Sequence, residues 1–216
     1  MRKSIAICVA ALASIGVFGA GYAAHAEETR DLSPFDHLET SRGVEVNVTC
    51  GDKTQAVLKG DTEDMEVKVE GRTLIVRHGS MFNGGHHHAQ VDVTTARPLD
   101  RIEASSGTEL KVEGCAVSKE RLDVSASSGT AIKLAGATDK LSIDANSGAS
   151  VGVLRGGRLD AKEARIEVSS GASVRVCAVG RLTGRAGTGG SILTENDASG
   201  DTRSSLGGSI ASKACN

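Results

Sequence analysis

Apolar and polar residues alternate with period two through most of the chain after residue 33, the pattern of strands that bury one face. Between residues 99 and 193 the alternation also repeats. The triplets Ser105-Ser106-Gly107, Ser127-Ser128-Gly129, Asn146-Ser147-Gly148 and Ser169-Ser170-Gly171 recur, followed by the degenerate Gly187-Thr188-Gly189 and Ser205-Leu206-Gly207. Successive glycines lie 22, 19, 23, 18 and 18 residues apart. A short alternating run precedes each of the four regular triplets, as in Arg101-Ile102-Glu103-Ala104, and another follows, as in Glu109-Leu110-Lys111-Val112. The unit is strand, tight corner, strand.

Parity sharpens this reading. Ile102, Ala104, Ser106, Thr108, Leu110 and Val112 keep one phase through the corner, as do Ile166, Val168, Ser170, Ala172, Val174 and Val176. One face is therefore expected inside throughout, its side chains shrinking to Ala, Ser or Thr at the bend. Gly107, Gly129, Gly148 and Gly171 are the structural corners, supplying the backbone freedom of the turn. A hairpin would reverse the chain, whereas equal units sharing one in-phase stripe predict coils stacked on one another. The predicted fold class is all-β, a parallel β-solenoid.

Stacked coils bring equivalent outward residues to about 4.8 Å from each other. Ser105, Ser127, Asn146 and Ser169 should then form a ladder of hydroxyls and an amide along the corner. Glu103, Ser125, Asp144 and Glu167 form an acidic column on one side of that ridge, and Lys111, Lys133, Gly152 and Arg175 a basic one on the other. One carboxylate per coil falls short of the six to eight oxygens that Ca²⁺ asks for, so a solvated face is the expectation.

Residues 33 to 98 do not carry the Ser-Gly corner and read as alternating strands joined by short turns. They form an antiparallel cap, or irregular first coils, covering the open end of the solenoid. The chain divides into 1–26, a leader; 27–98, the N-terminal β-strand cap; 99–193, the solenoid; and 194–216, a degenerate last coil with a Gly/Ser-rich tail.

The leader changes the composition that matters. Arg2 and Lys3 precede an apolar run from Ile5 to about Tyr22, and Ala24-His25-Ala26 ends in small residues, as in a secretory signal cleaved before Glu27. Its loss reduces 25 basic residues to 23 against 27 acidic ones, a net charge of −4, and leaves Phe35 and Phe82 as the only aromatics. No aromatic platform for sugars or bases can be assembled from these, and no nucleic-acid partner is expected. The exported chain is expected in the periplasm or at the cell surface, without a membrane span.

Cys50, Cys115, Cys177 and Cys215 remain, an even number suited to an oxidising compartment. Cys115 follows the first Ser-Gly corner and Cys177 the fourth. They are three coils apart, roughly 14 Å, beyond the 7 Å or so that a bridge tolerates between Cα atoms. The expected pairs are Cys50 with Cys115 and Cys177 with Cys215, each tying a loose end to the solenoid.

The conspicuous chemical cluster is Gly84-Gly85-His86-His87-His88. Neighbouring residues of a strand face opposite ways, so His86 and His88 are the candidate ligands for a transition metal, with a solvated loop as the competing reading. No other cofactor is expected. All histidines of the exported chain precede residue 98, so the repeat-region serines have no histidine partner nearby in sequence.

Phe35, the Thr73-Leu74-Ile75-Val76 run, the Ala89-Gln90-Val91-Asp92-Val93 strand and the Ile-x-x-Ser-Ser-Gly coils together resemble the putative auto-transporter adhesin head GIN domain family over about residues 33 to 193. The resemblance implies a right-handed β-helix-like fold in an exported bacterial envelope protein, and brings no catalytic motif. The expected function is non-enzymatic: an extended surface for adhesion or scaffolding, with a glycan or protein of the envelope or cell surface as partner. The alternatives are a carbohydrate-binding or polysaccharide-processing β-helix, and a metal binder at the histidine loop.

Overall fold

The computed structural model describes residues 27–79, 89–196 and 199–215; the leader and the His86–His88 cluster lie outside them. Seven strands lead: β1 (Glu28–Asp31), β2 (His37–Ser41), β3 (Glu45–Cys50), β4 (Gln55–Gly60), β5 (Met65–Glu70), β6 (Thr73–His78) and β7 (Ala89–Thr95). The repeat region supplies six pairs: β8 (Arg101–Ala104) with β9 (Glu109–Val112), β10 (Arg121–Ala126) with β11 (Ala131–Leu134), and β12 (Gly136–Ala145) with β13 (Ser150–Val153). The others are β14 (Leu159–Val168) with β15 (Ser173–Val176), β16 (Val179–Ala186) with β17 (Ser191–Thr194), and β18 (Thr202–Ser204) with β19 (Ser209–Ser212). The first strand of each pair joins one sheet and the second the other, each pairing in parallel with its equivalents in the coils above and below. The fold is a β-solenoid.

Alternation does what the sequence pattern demands of it. Leu122, Val124 and Ala126 of β10 are buried, as are Ile132 and Leu134 of β11, while Ser125 and Lys133 between them face outward. The two inner faces share one core of small aliphatic side chains running from Phe35 to Ile192.

The corners correct one detail of the parity argument. Ser106, Ser128, Ser147 and Ser170 have φ between 52° and 57°, and each is followed by a glycine near 73°. Two successive left-handed residues turn the serine out of the inward stripe, so Ser106 and Ser170 are exposed and the buried phase resumes at Thr108 and Ala172. The corner ladder is carried by the backbone. Gly107 N–H donates to the Ser128 carbonyl, Gly129 to Ser147, and Gly148 to Ser170, each at 3.0 Å. Thr108 Oγ1 closes its corner by donating to the Ser105 carbonyl at 2.8 Å.

A Cβ on Gly129 would meet nothing within 4 Å, so its constraint is the +72° φ and not space. Gly129→Val should therefore cost about 2 kcal/mol, the strain of a branched residue held left-handed. Lys133→Ala, on the exposed face, should stay within about 0.5 kcal/mol. Equal denaturant midpoints for the two variants would remove the conformational role assigned to Gly129.

The leading strands are only partly a cap. β2 and β3 pair in parallel with β8 and β9, and their link Ser41-Arg42-Gly43 has the same left-handed pair, φ 66° and 72°. Gly43 N–H donates to the Ser106 carbonyl at 3.0 Å, extending the corner ladder by one coil. β6 and β7 stack in parallel on β2 and β3 in turn. Among the described residues, antiparallel pairing is confined to β5 on β6, β4 on β7 and β1 on β4. The sequence reading missed this corner because Arg42 stands where the repeats have their middle serine, and Arg42 accepts the left-handed conformation that serine takes elsewhere.

Both disulfides pair as coil counting expects. Cys50 ends β3 and joins Cys115, which follows the neighbouring strand β9, with Cα atoms 5.9 Å apart. Cys215 folds back from beyond β19 to Cys177, at a Cα separation of 5.5 Å.

Candidate functional surface

The outward side chains stand in columns, one residue per coil. The acidic column is continuous in register: Glu103 pairs with Ser125, Ser125 with Asp144, and Asp144 with Glu167. It extends to Glu39 at one end, and to Arg185 and Arg203 at the other, where its sign reverses. Residues two apart on a strand share a face, and that spacing pairs Glu103 and Glu167 with arginines, while Asp144, among the described residues, accepts only from the Asn146 side-chain amide at 3.4 Å. Arg101 reaches Glu103 at 2.6 Å and Arg165 reaches Glu167 at 2.6 Å. Asp123, one column over, is held by Arg121 at 2.6 Å. These acids meet guanidinium groups instead of converging on a common point, so the column is a charge-paired rib and not a Ca²⁺ cage.

The opposite sheet is built the same way. Lys111 and Lys133 are adjacent in register. Glu45 lies directly against Glu109, a like-charge contact that would destabilise the pair of strands. Lys111 Nζ bridges the two at 2.7 and 3.4 Å, and Lys133 reaches Glu109 at 3.1 Å. The Lys133 hydrogen bond, with the charge of Lys111 beside it, holds Glu109 below the usual carboxylate range. The hydrogen bond to Glu45 pushes Lys111 above the usual lysine range.

Hydroxyl pairs also form along the second sheet, two positions past the corner. Ser150, Ser173, Ser191 and Ser209 are stacked on β13, β15, β17 and β19. Ser173 Oγ donates to Ser150 Oγ at 3.3 Å, and Ser209 Oγ to Ser191 Oγ at 3.4 Å. Each of these residues lies two positions after a corner glycine, and aligning that offset would have exposed the column.

Two further groupings arise from strand pairing and were invisible in the linear sequence. Asp36, His37 and Asp100 bring ligand-type atoms within 4.8 Å of one another. His37 Nε2 is 3.1 Å from Asp100 Oδ1. Arg72, however, donates from Nε to both Asp36 oxygens at 2.8 Å and from a terminal nitrogen to Asp100 at 3.4 Å. A cation entering there would have to displace a guanidinium from its carboxylates.

The second is a shallow groove on the outer face of β10, β12, β14 and β16, lined by Arg121, Asp123, Lys140, Glu163, Arg165 and Arg181. It follows a bend at which pairs of consecutive residues, Asp139-Lys140, Lys162-Glu163 and Gly180-Arg181, all face outward. Arg121 and Arg165 are committed to Asp123 and Glu167, whereas Lys140 and Arg181 have no ion-pair partner among the described residues. No helix among the described residues is long and apolar enough to cross a membrane.

Solved structures place this architecture. A putative adhesin from Bacteroides fragilis superposes with a TM-score of 0.64 at 15% identity, over 87% of this chain and 97% of that one. A putative adhesin from Parabacteroides merdae gives a TM-score of 0.55 at 12% identity, over 89% of this chain and 98% of that one. These likenesses show the fold alone. No protein of curated function matches the chain. The family model described as putative auto-transporter adhesin, head GIN domain, matches residues 34–198, more than half of the sequence, and the chain belongs to that family.

Proposed function

We propose that this is an exported envelope protein whose solenoid acts without catalysis, as a stiff surface for adhesion or scaffolding. The observation that carries the reading is the columnar layout of the outward side chains. Glu103, Glu109, Asp123 and Glu167 are matched to cations on their own or neighbouring strands, leaving a largely charge-paired face that can meet an extended partner along the axis. The family and two disulfides support an extracytoplasmic site of action, where such bridges persist. Within that face, Lys140 and Arg181 are the cations left to meet acidic groups of a glycan or protein on a cell surface.

The test is a glycan-array and whole-cell binding screen with the disulfide-bonded chain from Glu27 onward. Saturable binding to an acidic surface is expected, weakened about tenfold or more in Lys140→Glu/Arg181→Glu, since like charge against an acidic partner costs a few kcal/mol. Absence of binding to every surface, or turnover of a polysaccharide by the wild-type chain, would overturn the proposal.

A further inference from the structure

The two ends of the solenoid differ in how their strand edges are protected. At the N-terminal end the outermost strands are β1 and β5. β1 carries Glu28, Arg30 and Asp31, and β5 carries Glu66, Lys68 and Glu70, the charged decoration that keeps an exposed edge from pairing with another chain. At the C-terminal end the outermost strands are β18 and β19. β19 reads Ser209-Ile210-Ala211-Ser212, without a charge or a proline, and β18 reads Thr202-Arg203-Ser204. Thr202 and Ile210 have no further strand beyond them in the sheets, Ile210 is only half-buried, and Leu206 in the last corner is 81% exposed, the exposed large hydrophobic among the described residues. Among the described residues the tail does not cover this end. It runs back along the side, where Lys213 N–H donates to the Thr194 carbonyl and Cys215 is bonded to Cys177.

We infer that this open edge is an interface between two copies of the chain, joined end to end by antiparallel pairing of β18 with β18 and β19 with β19 about a two-fold axis normal to the sheets. The sequence of the edge is self-complementary in that arrangement. Directly opposed residues of an antiparallel pair project to the same face. Thr202 stacks on Gly184, and Asp201 and Arg203 flank it on the outer face. Setting Thr202 opposite its own copy places Asp201 opposite Arg203 of the second copy, and Arg203 opposite Asp201. Two ion pairs thus cross the interface, formed by side chains that in one copy have only each other, at 3.2 Å.

The same axis serves the second sheet. The open side of Gly184 faces Ile192 and Ile210, both within 3.5 Å of where its Cβ would be. Thr202 therefore lies across the core from Ile210, and an axis through both sets Ile210 against Ile210. Inner face meets inner face in both sheets, both ladders gain backbone hydrogen bonds, and the core becomes continuous across the junction. A two-fold contact of this kind is isologous and closes on itself, giving a dimer and not a fibre.

Sedimentation equilibrium on the disulfide-bonded chain from Glu27 onward tests the inference, with circular dichroism and thermal unfolding to establish that each variant is folded. The wild type should sediment as a dimer at concentrations up to about 100 µM. Arg203→Asp would set Asp201 against an aspartate in both crossings and should weaken association about tenfold or more. The exchange Asp201→Arg/Arg203→Asp restores both crossings and should restore the dimer, an outcome that mere damage to the last coil would not produce. Ile210→Lys should give a folded monomer. A monomeric wild type, an Arg203→Asp dimer of undiminished affinity, or a folded charge-exchange variant that stays monomeric would each overturn the interface. None of these outcomes depends on whether the glycan or cell-surface ligand is found.

Discussion

Replacing Cys50 and Cys115 together with alanine is expected to lower the unfolding free energy of the oxidised protein by about 4 kcal/mol, the loop-closure value for a bridge of this span. The two residues are 65 positions apart in sequence, so the bridge closes a long loop in the unfolded chain. In the folded state it costs little to hold them, because β3 and β9 are already neighbours and deliver the two Cα atoms to 5.9 Å. The link also fastens the leading coil, β2 with β3, to the first coil of the repeat region. Chemical denaturation of the double variant against wild type checks this. A loss below about 1 kcal/mol would mean that the unfolded ensemble already keeps these coils together.

Phe35→Ala should be the costliest single truncation in the core, about 3 to 5 kcal/mol. Phe35 is fully buried and is the aromatic residue of the described core, all of whose other members are aliphatic, small or sulfur-containing. It sits just before β2, where the Asp36 and His37 N–H groups donate to the Arg72 carbonyl at 3.2 and 3.0 Å. A backbone fixed on that side resists collapse into the space a missing ring leaves. Val44→Ala, equally buried at the first corner, provides the internal standard and should cost clearly less. Equal losses for the two would show that the end of the solenoid closes over the vacancy.

What the sequence revealed and what it hid follow from the distance over which each signal acts. The Ser-Gly units were legible because strand, corner and strand lie within a dozen residues and repeat in phase. The disulfide pairing was legible because separation along a solenoid grows by a fixed step per coil, which turns sequence position into distance. The place of β6 and β7 was not, since these strands are inserted between β2/β3 and the antiparallel strands, and no local pattern records that order. The Asp36, His37, Arg72 and Asp100 grouping was hidden for the same reason: its members come from three segments joined only by the register of β2 with β6 and β8. The outward turn of Ser106 was lost to a different cause. Period-two counting assumes extended backbone, and a left-handed pair turns one residue of the stripe outward while leaving the phase on either side unchanged.

The spacing of the corner glycines, 18 to 23 residues, varies although the corner itself does not. The surplus falls wholly in the turn that leaves the second strand of each coil. It is the short helix Gly114–Ala116 in one coil, Leu154-Arg155-Gly156-Gly157 in another, and little more than Ala135-Gly136 in a third. Along the corner edge, every glycine must present its N–H to the next coil at one height, which fixes the pitch and leaves no slack. The solenoid thus works like a book: the spine of left-handed corners sets the spacing of the leaves, and the fore-edge is free to be trimmed or extended leaf by leaf. A protein built this way can change the outline it shows to its surroundings, one coil at a time, without disturbing the hydrogen-bonded column that keeps the coils in register.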